Sequence, residues 1–356
     1  MPRTVLLNPG PVNITDKVRQ AMALPDLCHR EKEFADLMAA IRSKLLQAFN
    51  IEKEFTSVLV SGSGTAALEM AVSSSLAPGR SMLVIENGVY GERIGKLCDV
   101  YNFHRHTIKL DWGVPPNLYD IEDILKRRSD IEVVSLVHHE TTTGLLNPLQ
   151  AVGELAKKYG KVFLVDCISS IAGDEMDFTC IDLAVGTANK CLQGVPGVSF
   201  VLLRKKDLAR LIKIPARTLY FNLTGYHKAQ EMGGLLFTPA IPAHYALDVA
   251  LDELIEETVT GRIKRYSDAA NFLRDGFKNL GLEFLIPEGW RSNCLTGLKL
   301  PKGINYEKLH AELKSKGFVI YAGQGNLSES IFRIANMGDI KQEEFQRLLK
   351  VLETVC

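Results

Sequence analysis

The chain has 356 residues, 46% of them hydrophobic and 24% charged, enough for one large globular unit and a smaller one, each with its own core. Its 42 Lys and Arg balance its 42 Asp and Glu, which removes any charge-based case for a nucleic-acid partner or an acidic membrane surface, so an anionic substrate must be gripped locally. Seven scattered cysteines without a Cys-x-x-Cys spacing, an N-terminus too short in apolar residues for a secretory signal, and no apolar run near the roughly 20 residues of a membrane span point to a reduced, cytoplasmic protein.

From about residue 56, short runs of Val, Ile, Leu and Phe alternate with helical patterns. Strands are predicted at 56–60, 82–86, 133–137, 162–166, 183–185 and 199–203, with helices at 66–76, 93–100 and 148–159. Runs that are apolar at consecutive positions suit strands covered on both faces, so the pattern predicts a mainly parallel, doubly wound α/β sheet. After about residue 240 the texture changes. One long amphipathic stretch at 246–280 carries Leu247, Leu251, Leu254, Ile255, Val259 and Ile263 at helical spacing. Short runs at 282–286, 294–300, 318–321 and 331–334, with helices at 306–316 and from 342, suit a smaller α+β layer. The expected division is a large unit over 1–255, with an N-terminal arm at 1–15, and a small C-terminal unit over 256–356.

The first chemical signal is Ser61-Gly62-Ser63-Gly64-Thr65-Ala66-Ala67, directly after a predicted strand and before a predicted helix. Glycines let successive N–H groups face one hollow, and a helix N-terminus adds partial positive charge, which together make a phosphate cup. The same residues fit a dinucleotide fingerprint, with Glu86 placed 24 residues after Gly62, so an NAD-dependent dehydrogenase competes at this point. The second signal is Asp166, ending the run at 162–166, with Lys190 following 24 residues later. Strand C-terminal ends open into one crevice in such sheets, which lets the two side chains meet. A pyridoxal cofactor needs both: an amine to hold its aldehyde and a carboxylate to keep its ring nitrogen protonated. A dehydrogenase needs no such pair.

Asn8-Pro9-Gly10-Pro11, Gly62-Ser63-Gly64-Thr65, Asn87-Gly88-Val89-Tyr90-Gly91, Glu140-Thr141-Thr142-Thr143-Gly144, Val165-Asp166-Cys167-Ile168-Ser169-Ser170 and Asn189-Lys190-Cys191-Leu192-Gln193-Gly194-Val195-Pro196-Gly197 resemble, in order and spacing, the class V aminotransferases. Within that class, the Glu-Thr-Thr-Thr-Gly and Lys-Cys-Leu-Gln-Gly-Val-Pro-Gly stretches look like the branch that takes 2-aminoethylphosphonate and pyruvate. The resemblance implies a fold-type I transferase with pyridoxal phosphate as cofactor, an amino donor and a 2-oxo acid as substrates, and a homodimer with its active site at the subunit interface. It implies that Lys190 carries the cofactor and acts as base, while Asp166 faces the ring nitrogen. Ser63, Gly64 and Thr65 would hold the phosphate, and Tyr90 would stack on the ring. Thr142, or its neighbours Thr141 and Thr143, would reach the ring hydroxyl, and Thr238 would be lent across the dimer interface. Arg333 is the expected substrate-binding guanidinium, with Arg30 as a second candidate.

No metal is expected. His138 and His139 are adjacent on a strand end, so their side chains point to opposite faces. Two features depart from the resemblance: His139 stands where a small residue is expected, and Pro239-Ala240-Ile241-Pro242-Ala243 is apolar where a hydroxyl is expected. Alanine–glyoxylate and serine–pyruvate aminotransferases therefore stay open as alternatives. A cysteine desulfurase is disfavoured, because 321–330 contains no cysteine.

Overall fold

The computed structural model describes residues 3–355. Seven strands form the large sheet in the order Phe55–Gly62, Gly197–Arg204, Leu183–Thr187, Val162–Asp166, Ile131–Val137, Ser81–Glu86, His104–Lys109. Only Gly197–Arg204 runs against its neighbours. Alternate residues of the central strands feed two cores. Phe163 and Val165 join one with Val134 and Leu136, while Leu164 joins the other with Val133 and Val137. The helices Lys32–Ala48, Leu149–Lys158 and Ile241–Glu257 cover the first face, and Gly64–Ser75 and Val89–Val100 cover the second. The sheet is thus doubly wound, and its consecutive apolar runs follow from that double coverage.

The edge strand His104–Lys109 is absent from the expected set. It reads His-Arg-His-Thr-Ile-Lys and buries only Ile108, because an edge needs only one apolar contact and carries charge outward. The amphipathic stretch expected as one element is two helices, Ile241–Glu257 and Val259–Asn279. Thr258 separates them with φ +66°, and its hydroxyl accepts from the Gly261 N–H at 3.0 Å to cap the second.

A third core lies in the C-terminal part, under the antiparallel sheet Leu295–Lys299, Ile331–Ala335, Tyr321–Ala322. Val5 and Leu7 of the N-terminal arm belong to this core, because Val5–Leu6 pairs in parallel with Phe318–Val319. The run expected as one strand at 318–321 therefore splits at the buried Ile320, one half meeting the arm and the other Arg333. The run at 282–286 makes only the isolated bridge of Phe284 to Leu298. No helix among the described residues is long and apolar enough to cross a membrane.

Five strands, Phe55–Gly62, Ser81–Glu86, Ile131–Val137, Val162–Asp166 and Leu183–Thr187, run parallel and end on one edge of the sheet. The loops leaving those ends carry most of the expected site residues.

Candidate active site

The strand Phe55–Gly62 ends in Gly62, and Ser63 caps the helix Gly64–Ser75 with extended backbone. Ile168 roofs this turn so closely that a Cβ on Gly64 would lie 2.8 Å from it. Three places along the sheet, Asp166 ends its strand at 4% exposure and accepts from the Ile168 N–H at 3.0 Å. Burial pushes its carboxyl above the ordinary range, and the charges of Lys190 and Arg93 oppose that shift.

Lys190 leaves the neighbouring strand Leu183–Thr187 and is 9% exposed. Its Nζ lies 5.7 Å from the centroid of the Tyr90 ring. Gly10 closes over the lysine stem with φ +102°, and a Cβ there would sit 3.0 Å from Lys190 Cγ. Both the positive φ and the close approach require glycine at that position.

Tyr90 is set by a carboxylate beneath it. Glu140 is fully buried and accepts from the Tyr90 and Gly91 N–H groups at 3.2 and 3.1 Å, at the start of the helix Val89–Val100. It also accepts from the Thr142 N–H at 3.2 Å and the Thr142 hydroxyl at 2.5 Å. Burial raises its pKa to about 7 against those donors. Gly88 makes the approach feasible, since a Cβ there would lie 2.3 Å from Glu140 Cδ.

The threonines divide accordingly. Thr142, expected to reach a ring hydroxyl, has its own hydroxyl committed to Glu140 and to the Val89 N–H at 3.0 Å. The Thr143 hydroxyl reaches the Glu140 carbonyl at 3.4 Å. Thr141 Oγ1 alone of the three is buried with no partner among the described residues.

Arg333, on the strand Ile331–Ala335, is 2% exposed. Its Nε donates to the Ala322 carbonyl and its Nη1 to the Thr141 carbonyl, both at 2.8 Å. Burial lowers its pKa, so an anion facing it gains the more. Ser63, Thr65, Tyr90, Lys190 and Arg333 line one cavity of about 200 Å³. A larger cleft of about 760 Å³ beside His138 and Asp174 is lined by carboxylates and apolar groups with no lysine or arginine. It offers no amine chemistry.

Thr238 and Arg30 are not brought to Lys190 within the chain. They line a separate cavity of about 490 Å³ with Phe237 and Gly233. His138 and His139 reach different partners, the Ser170 hydroxyl at 3.0 Å and the Ser169 carbonyl at 3.1 Å. Burial lowers the pKa of each to about 3.

Eight lining residues were not expected as site residues: Pro9, Gly10, Ile168 and Asn189 come from the stretches that carry the resemblance, and Arg93, Thr187, Tyr321 and Gln324 from outside them. The helix expected at 93–100 starts earlier, at Val89, and only with that start does the three-residue spacing put Arg93 on one face with Tyr90. Tyr321 and Gln324 had no signal in the sequence, because only the fold brings the C-terminal sheet to the crevice.

Residues 16–337 match the family model described as aminotransferase class-V. A 2-aminoethylphosphonate–pyruvate transaminase of Bacteroides fragilis is 35% identical over 356 residues, covering 98% of each chain. A protein of the same description in Vibrio cholerae is 35% identical, covering 98% of this chain and 96% of its own. Among solved structures, an alanine–glyoxylate aminotransferase from Nostoc sp. superposes with a TM-score of 0.94 at 27% identity, covering 100% of this chain and 96% of that one.

Proposed function

The chain belongs to the class-V aminotransferases, fold-type I enzymes that use pyridoxal phosphate, and we propose that it moves the amino group of 2-aminoethylphosphonate to pyruvate, giving phosphonoacetaldehyde and alanine. The observation that carries this reading is the single cavity in which Lys190 faces Tyr90, between the helix start at Ser63–Thr65 and the buried Arg333. The relatives described by this reaction support the choice of donor.

The residues suit the cofactor. The loop at 63–65 offers N–H groups and hydroxyls to its phosphate, Asp166 a carboxylate to its ring nitrogen, and Tyr90 a face to its ring. The unpartnered Thr141 hydroxyl, rather than that of Thr142, suits the ring oxygen. When bound, the cofactor supplies an electron sink for the pair left on the amine-bearing carbon. Lys190 Nζ would take the proton from the amine-bearing carbon of the donor and, in the second half-reaction, deliver one to the carbon that becomes the amine-bearing carbon of alanine. Asp166, whose charged form the Ile168 N–H, Lys190 and Arg93 favour against burial, would keep a proton on the ring nitrogen. Arg333 offers its fork to the phosphonate of the donor and to the carboxylate of pyruvate in turn.

In this reading the enzyme is a homodimer. Leu219 and Met232 are 84% and 78% exposed, and Tyr220 stacks on Phe237 at 4.6 Å, next to Thr238. Such apolar exposure suits a covered face, and a second copy there would bring Thr238 to the partner's phosphate cup. A panel of amino donors with pyruvate, scored by alanine formation, tests the assignment. 2-Aminoethylphosphonate should outperform serine, glutamate and aspartate, and a carboxylate donor that outperforms it would overturn the phosphonate reading.

A further inference from the structure

We propose that Arg93 is a cofactor-phosphate ligand, an inference that rests on the cofactor reading above. Arg93 is the fifth residue of the helix Val89–Val100 and lines the same cavity as Ser63, Gly64 and Thr65. Its Nη1 donates to the Thr65 hydroxyl at 3.2 Å, and its guanidinium carbon is 4.6 Å from the Tyr90 centroid. It therefore stands between the phosphate cup and the ring-stacking tyrosine.

The nearby carboxylates are committed elsewhere. Glu92 accepts from the Trp112 indole N–H at 2.9 Å, and Glu86 holds Arg105 at 2.8 Å. Asp166 accepts from the Ile168 N–H at 3.0 Å and feels the charge of Arg93 without forming an ion pair with it. Among the described residues no ion pair includes Arg93. The stretch from Ser61 to Ala67 is itself uncharged, so a phosphate dianion there meets backbone donors and hydroxyls but no countercharge from the loop. Of the three cations lining the cavity, Lys190 holds the aldehyde end, and Arg333 is pinned by the Ala322 and Thr141 carbonyls. Arg93 is the cation left for the phosphate, and a guanidinium matches that group with paired N–H donors.

Equilibrium dialysis of the apo protein against two aldehydes, pyridoxal phosphate and phosphate-free pyridoxal, tests this without reference to turnover. Arg93→Ala should weaken pyridoxal phosphate by about 10- to 100-fold, the range of a hydrogen bond to a charged group, and pyridoxal by less than about threefold. Arg93→Lys should recover part of the phosphate-dependent loss. An equal loss for both aldehydes would show that Arg93 acts through Tyr90 or the fold, and an unchanged pyridoxal phosphate affinity would show that the loop holds the dianion alone. Either result overturns the proposal. Failure of the unaltered protein to bind pyridoxal phosphate would instead sink the cofactor reading itself.

Discussion

Asp166 ends its strand in register beside Val185, and Lys190 stands three residues beyond the end of that adjacent parallel strand, Leu183–Thr187. Lys190→Ala should retain cofactor through the loop at 63–65 and Tyr90, yet lose turnover by about a thousandfold or more, since the amine both holds the aldehyde and moves the proton. Borohydride treatment of the unaltered protein followed by peptide mapping should place the label on Lys190, and label on another lysine would refute the site. Arg333 has a different weight. Truncating a buried, hydrogen-bonded charge typically costs about 2–5 kcal/mol, so Arg333→Ala should lower kcat/KM roughly 30-fold to several thousand-fold for donor and pyruvate alike. Arg333→Lys should recover only part, because an ammonium cannot span both the carbonyl of Ala322 and a bound anion as a fork does. If both half-reactions survive Arg333→Ala, the arginine serves only to tie the Ala322 and Thr141 carbonyls together.

At the level of elements, the start of the helix Val89–Val100 and the loop after Ile131–Val137 behave as one piece, joined through Glu140. Gly88→Ala would drive a methyl group against the Glu140 carboxyl, which four hydrogen bonds hold in place. Overpacking of this kind costs about 1–3 kcal/mol. The variant should melt lower and bind cofactor more weakly, because Tyr90 must shift with the helix start, and an unchanged Tm would show that Glu140 yields freely. The same loop sets an acid sensitivity. His139 is held near pKa 3 by burial, below its unfolded value of 6.5, so its contribution to stability is present above pH 6.5 and lost as pH falls toward 3. Glu140 runs the other way: raised from 4.5 to about 7, it contributes below pH 4.5 and loses that contribution as pH rises through 7. His139→Gln should therefore gain on the parent protein below pH 6.5, by up to about 1.4 kcal/mol per pH unit. Denaturant midpoints from pH 7.5 to 4.5 measure this, and a gap that does not change with pH would mean that His139 is not kept neutral.

At the scale of the whole molecule, Thr238 and Arg30 sit together away from Lys190 of their own chain, beside exposed apolar residues. If Thr238 acts across a dimer interface, Thr238→Ala and Lys190→Ala chains should complement each other. A hybrid of the two contains one site with both residues intact. Mixing the variants under conditions that exchange subunits should restore up to about half of the parental activity per hybrid at limiting cofactor, a consequence of two-fold symmetry. No gain on mixing, with hybrid formation verified by mass, would place the action of Thr238 within its own chain or remove it from the site.

Much of this architecture is legible in the amino-acid sequence. Six of the seven strands of the large sheet announce themselves as consecutive apolar runs, because a strand covered on both faces has no polar side to show. Lys190, Asp166 and the loop at 61–67 are local patterns at strand ends, where backbone direction alone determines which side chains enter the crevice. The strand His104–Lys109 was hidden because an edge needs so little burial, and the break at Thr258 because the apolar spacing continues across it. Which threonine keeps a spare hydroxyl, where the N-terminal arm docks, and that Arg93 meets the loop at 61–67 were decided only by the tertiary structure. Each depends on contacts between segments distant in the chain: Glu140 with Gly88, Val5 with Phe318, Arg93 with Thr65. Sequence periodicity reports how a segment is buried, whereas the partner of a particular polar atom is chosen by the packing of elements whose separation along the chain carries no such signal.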